Sequence, residues 1–241
     1  MEFIIFASKK IPGRNITPSL PWHLRDTNIS SHVRSLGVNF DSALSFAKHI
    51  DYIIKSCNFY IRNIGRIRQF LSKQACEMLV VALVTSCLVY CNSLLNGLSQ
   101  THMLRLQRVQ NTAARLICRI KKSDHISTSL QSLHWLPVVF RPRFKLLCIV
   151  FRALRGVGHE ELICPYRPTR SLRSESKNLL YVPACGTATY GNWLFTVETA
   201  ILWNDLPQEL RDAENLTSFK RLLKTHFFNS AFPQDCLSAC S

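Results

Sequence analysis

Lys48, Lys55, Arg62 and Arg66 lie on a segment whose apolar residues, Ile50, Ile53, Ile54, Cys57, Ile61, Ile64 and Leu71, follow helical spacing. On an ideal helix turning about 100° per residue, the four cations fall within about 40° of one another, opposite the apolar row. Ammonium and guanidinium groups aligned in this way, with no acid among them, have the chemistry of phosphate contact. Such contacts position a nucleic-acid backbone and read no base identity. A second set, Arg105, Arg108, Arg115, Arg119 and Lys122, shares an arc of about 100° on the same geometry. The chemistry these residues suggest is therefore binding, and the overall charge agrees. Thirty Lys and Arg stand against fifteen Asp and Glu, a formal net charge of +15. That excess points first to nucleic acid and second to an anionic membrane surface.

Catalytic chemistry is harder to place. The carboxylates are spread thinly, and the single adjacent pair is Glu160-Glu161, in a Gly-flanked loop. No Asp-Asp occurs, which excludes the compact two-metal nucleotidyl-transfer signature. Neither a phosphate-cradling glycine motif nor a GxSxG elbow is present. The eight His residues lie singly, and His134, beside Trp135, reads as a packed or capping residue rather than a base. Trp135, Trp193 and Trp203 could stack on bases, but large apolar side chains at helix-like positions are usually core. No catalytic residue, metal site or cofactor is expected.

The ten cysteines are scattered, with no CxxC and no finger or knuckle spacing. Several lie inside apolar helical runs and read as buried reduced thiols of a cytoplasmic or nuclear protein, while Cys236 and Cys240, near the exposed end, could oxidise and are given no role. "MEFIIFASKK" lacks the basic start and apolar length of a signal peptide, so secretion is not expected. The longest uncharged apolar run, residues 78–91, has fourteen residues and suits a buried helix better than a membrane span.

The elements that must position the cations follow from periodicity. Phe3–Ala7 reads as a short strand, residues 8–30 as a Pro-rich loop, and Val33–Phe40 as a second strand. The helix carrying Lys48 begins near Leu44. Gln74–Leu95, apolar nearly all round, predicts a helix covered on most sides, with Gly97 capping its end. A helix from about Thr101 to Lys121 carries Leu106, Val109, Ala113, Leu116 and Ile120 on one face. These segments predict a bundle with a central apolar helix and two outer helices, each with an acid-free cationic stripe. Beyond Ser123 come an apolar-basic helix from about Phe140, loops over 156–192 with a short strand at Leu179–Val182, a helix ending by Pro207, and a last amphipathic helix. That last helix should turn Phe219, Leu222, Leu223 and Phe227 inward.

The segments "EFIIFASKK", "VRSLGVNFDSALSFAKHI", "RNIGRIRQFLS", "ALVTSCLVYCNSLLNGL" and "LQRVQNTAARLI" occur in one order. So do "SLHWLPVVFRPRFKLLCIVFRAL", "LICPYRPTRSLRS" and "LWNDLPQELRDAENLTSFKRLLKTHFF". In this order, over residues 2–230, the chain resembles the reverse transcriptases of LINE-type non-LTR retrotransposons, jockey-like or a related clade. The resemblance implies a mainly α fold: a small β-hairpin remnant of the polymerase palm, a thumb-like helical bundle, and a mostly helical C-terminal region with loops. It implies boundaries at 1–43, 44–122 and 123–241. It places Leu36, Gly37, Val38 and Phe40 at the primer grip and makes the bundle a clamp on RNA, DNA or an RNA–DNA hybrid. In that family the polymerase motif with its paired aspartates lies upstream of the segment matching "EFIIF". The resemblance thus implies a catalytically inert part of an RNA-directed DNA polymerase, with the polymerase core as a further partner. The stretch from Gly156 to Pro168 is shorter than the family spacing. The other reading of the same residues is a helical protein-interaction module whose charge serves solubility.

Overall fold

The computed structural model describes residues 2–4, 28–158, 161, 163–166, 178–184 and 195–233. Residues 8–27 of the loop expected over 8–30, most of the first strand, Glu160, Trp193, Cys185, Cys236 and Cys240 lie outside the described residues. The fold is mainly helical, with a small antiparallel hairpin ahead of the helices. Two compact units divide the chain, residues 1–91 with 98–109, and residues 92–97 with 110–241. The division thus falls inside the third long segment of the expected 44–122 bundle and not at residue 122.

In the first unit, β1 (Glu2–Phe3) pairs in parallel with β2 (Asn28–Ile29). The strand expected over 33–40 is two strands, β3 (His32–Ser35) and β4 (Val38–Asp41). They pair Val33 with Phe40 and Ser35 with Val38. The segment therefore supplies its own partner by folding back on itself. Leu36 and Gly37, both at positive φ (46° and 81°), form the two-residue turn, as a type I′ hairpin requires.

The Asp41 carboxylate then accepts hydrogen bonds from the amides of Ser45 (2.9 Å) and Phe46 (2.7 Å). These contacts fix the entry to α1 (Ala47–Ile67). The buried apolar residues of α1, Ile50, Ile53, Cys57, Ile61 and Ile64, step by three and four, the spacing of one helical face. They pack along α2 (Lys73–Val80), a π-helical turn at Val81–Thr85, and α3 (Ser86–Val89).

That second ridge is Cys76, Val80, Val84 and Leu88, each four residues after the last. In a regular helix three such steps would drift by about 120°. The π turn, closed by Ser86 N–H bonding to Val81 O, holds one extra residue and cuts the drift to about 20°. The ridge stays straight because the helix is locally widened. The segment is less covered than its composition predicts: Met78 is 62% exposed and Val81 is exposed as well. The reason is that α1 packs along one face only.

α4 (Gln100–Cys118) starts in the first unit and ends in the second. It stops three residues short of the expected end. Arg119 takes the left-handed position (φ 54°) and Ile120 N–H reaches back to Arg115 O, a Schellman ending with arginine where glycine is usual. Without that glycine, no stop signal marks the end in the sequence. α5 (Ser127–Ser132) ends the same way around His134 (φ 52°), with Trp135 N–H on Leu130 O and His134 N–H on Gln131 O. His134 is thus a capping residue here.

The second unit is built on α6 (Phe140–Leu154), α7 (Phe195–Asn204), α8 (Gln208–Arg211) and α9 (Leu216–Ala231). Phe151 stacks on Phe219 at 4.4 Å between ring centroids, and Trp203 tilts against Phe219 at 5.8 Å. Trp203 is 1% exposed and its indole N–H donates to Asn178 O; Trp135 is buried too. Both rings are core and neither is open to a base. The expected strand at Leu179–Val182 is a single bridge, Pro165 to Leu180. Asn204 takes the place of a partner strand: its side chain accepts from Leu180 N–H and donates to Leu180 O, both at 2.9 Å. On α9, Phe219, Leu223 and Phe227 are buried as expected, but Leu222 is exposed.

Replacing Phe219 by Ala should remove the ring that both Phe151 and Trp203 touch and cost about 3–5 kcal/mol. Denaturant unfolding followed by tryptophan fluorescence measures it.

Candidate nucleic-acid interface

The α1 row forms as the periodicity dictates. Once Ile50, Ile53, Cys57, Ile61 and Ile64 are buried, Lys48, Lys55, Arg62 and Arg66 face solvent, and all four are exposed. They span about 27 Å of helix at 1.5 Å per residue. Among the described residues no carboxylate pairs with any of them.

The face is not acid-free, however. Asp51 sits at its edge, about 20° from Arg62 on the helical projection. An ion pair of 2.6 Å with Arg105 of α4 neutralises it. Arg105, expected to contact phosphate, is therefore a strut between two helices. The exchange leaves the four α1 cations uncompensated, and the pair itself, half exposed, adds little stability.

The second stripe is not continuous either. Arg108 is exposed on α4. Arg115, half-buried, gives its guanidinium to Asp124 O at 3.3 Å, and its Nε is buried without a hydrogen-bond partner. Arg119 caps the helix and Lys122 lies beyond its end, in a turn held by Lys121 N–H on the Asp124 carboxylate. An arc drawn for an unbroken helix does not apply past Cys118, so these residues do not extend a row.

The four residues expected at a primer grip separate into two pairs. Val38 is buried and Phe40 meets Phe46 edge to face at 5.7 Å, so both root the hairpin on the start of α1. Leu36 and Gly37 form its tip, with Leu36 87% exposed. The Tyr90 hydroxyl donates to Leu36 O at 2.5 Å and its ring lies 3.4 Å from where a Cβ on Gly37 would sit. An exposed leucine in the left-handed region is a local strain that no burial of its side chain offsets.

Cation spacing alone does not single out Tyr52 and Phe59. Both are exposed on α1, at 47% and 59%, on the same side as the cations. The signal is nonetheless in the sequence: they fall outside the apolar row, one helical turn from Lys48 and Lys55.

Behind the hairpin, His49 is buried, with Nδ1 unpartnered. Burial and then the charge of Arg34 push its pKa below the ordinary 6.5. Burial raises the Asp41 carboxyl, but the hydrogen bonds from Ser45 and Phe46 outweigh it and hold the group below the ordinary 3.8. Burial beside Cys87 drives the Cys57 thiol up to about 12, so it is a packing group and no nucleophile. The seven described cysteines form no disulfide. Among the described residues no three His, Cys, Asp or Glu side chains gather to hold a metal, and no helix is long and apolar enough to cross a membrane.

No family model, no curated protein and no solved structure matches this chain.

Two outcomes follow from the hairpin. Leu36→Asn, which suits the left-handed position, should stabilise the first unit by about 1 kcal/mol, read as a raised denaturation midpoint. Acidification should weaken the same junction. With its pKa lowered in the fold, His49 costs stability as pH falls below 6.5, where the unfolded chain takes up a proton first. The Asp41 contribution is complete above 3.8 and is lost as pH falls through its lower folded value. The thermal midpoint should therefore decline as pH falls below 6.5, and His49→Gln should flatten the start of that decline.

Proposed function

We propose that the chain is the primer-grip and thumb portion, with the region downstream, of a LINE-type non-LTR retrotransposon reverse transcriptase. In this reading it holds RNA, DNA or their hybrid by the backbone and does not copy them by itself. The observation that carries the reading is the α1 row: four exposed cations, with the one acid of α1, Asp51, held by Arg105. The ordered resemblance along residues 2–230 supplies the family, and a hairpin rooted on the first residues of a cationic helix fits a primer grip feeding a thumb. Phosphate contacts give affinity that falls with salt and ignores sequence.

A second reading, a helical module that docks on protein, draws on the exposed Phe70, Met78 and Val81. Retention on heparin or single-stranded DNA separates the two. Elution at near-physiological salt favours the protein-docking module. Retention well above it favours backbone binding.

Reversing Lys55 and Arg62 to Glu should weaken binding to unrelated sequences alike. It should also make the logarithmic salt slope shallower by about 1 for each cation that touches a phosphate. Anisotropy titrations at several salt concentrations measure this, and an unchanged affinity and slope would discard the row as the site. Primer extension by the chain alone should yield no product; template-dependent extension would refute the non-copying part of the proposal.

A further inference from the structure

The exposed face of α1 carries more than charge. Lys48, Lys55 and Arg62 recur every seven residues, and Tyr52 and Phe59 recur every seven between them, with Arg66 one turn further on. All six are exposed. The order along the helix is cation, aromatic, cation, aromatic, cation, cation. On the helical projection the two rings lie within about 80° of every cation in the row. None of these six belongs to the buried ridge, so packing does not require aromatic residues at 52 and 59. Single exposed apolar residues are ordinary; two in phase with a cationic heptad are a pattern.

We infer that this face of α1 binds single-stranded nucleic acid, with Tyr52 and Phe59 stacking on unpaired bases while Lys48, Lys55, Arg62 and Arg66 hold the phosphates between them. The inference rests on the nucleic-acid reading above and narrows its ligand to a single strand. Three physical points carry it. Cationic charge selects a polyanion, and two aromatic rings set among four cations select one that offers flat apolar surface as well. In a duplex the base faces are already stacked on one another, so rings projecting from a helix would meet sugar and phosphate. Spacing is also suitable: Tyr52 and Phe59 are about 10.5 Å apart along the axis, close to three base rises of about 3.4 Å. Every third base would meet a ring. The Arg34 guanidinium lies over one face of the Tyr52 ring, 5.3 Å from its centroid, so the base would stack on the opposite face, and Phe59 meets Tyr60 edge to face at 5.6 Å.

The test uses the full chain and three fluorescently labelled probes of equal length: oligo(U) RNA, oligo(dT) DNA and an RNA–DNA hybrid duplex. Tyr52→Leu combined with Phe59→Leu keeps apolar bulk and removes the π faces. It should weaken binding to at least one single strand by about ten-fold or more, leave the hybrid unchanged, and leave the salt slope unchanged. A loss confined to the RNA or to the DNA probe tells which strand the face prefers. Phe59→Trp, which restores a larger ring, should bind single strands at least as well as the unaltered chain and guards against a folding defect in the leucine variant. Undiminished single-strand affinity in the leucine variant, or an equal loss on the hybrid, overturns the inference while leaving backbone binding intact. Failure of the unaltered chain to bind any probe overturns both.

Discussion

The choice of which side of α1 to bury governs the first unit. Ile50, Ile53, Cys57, Ile61 and Ile64 form a ridge that docks on Cys76, Val80, Val84 and Leu88, and apolar burial on the order of 25 cal/mol per Å² makes that docking decisive. Every charged side chain on α1 then faces outward, while His49 is buried. The cations are arranged by the core, and no interaction among themselves is needed to align them. The same helix fixes the hairpin, because β4 packs on α1 and Phe40 meets Phe46, just ahead of α1, edge to face.

Neutralisation of Asp51 is the second controlling event. Left alone, its carboxylate would stand among Lys48, Lys55 and Arg62 and lower the local potential. Arg105 reaches it from α4 and removes that charge from the field of the row. Such a half-exposed pair contributes little to stability, so its effect is on the electrostatic surface. One cation ties two helices together while four others remain available, and the row on α1 is more positive than its own residues would make it.

Much of this is legible in the residues. The α1 row and the inward Phe219, Leu223 and Phe227 of the last helix follow from three-and-four spacing, and the helices near 140 and 195 from apolar segments bounded by Pro137 and Pro207. What escapes has physical causes. The strand pattern over 33–40 hides a hairpin because its turn is Leu-Gly and not Asn-Gly, so the alternation runs straight through it. Periodicity carries α4 past Cys118 because Arg119 occupies a left-handed site that glycine would announce and arginine does not. Apolar composition suggests a covered central helix but does not say how many neighbours a helix will find. Asp51 and Arg105 lie 54 positions apart, beyond any local periodicity, and only the fold brings them together.

The widened turn at Val81–Thr85 has a consequence for how the chain tolerates change in length. That turn carries one residue more than an unbroken α-helix between Val80 and Ser86 would need. Deleting a single residue there would restore ordinary winding and keep the residues after it, Leu88 among them, on the same side as Cys76 and Val80. The same deletion inside α1 would rotate every later side chain by about 100°. The two mated helices therefore differ in kind: one can absorb a slip in its length, and the one bearing the charges cannot.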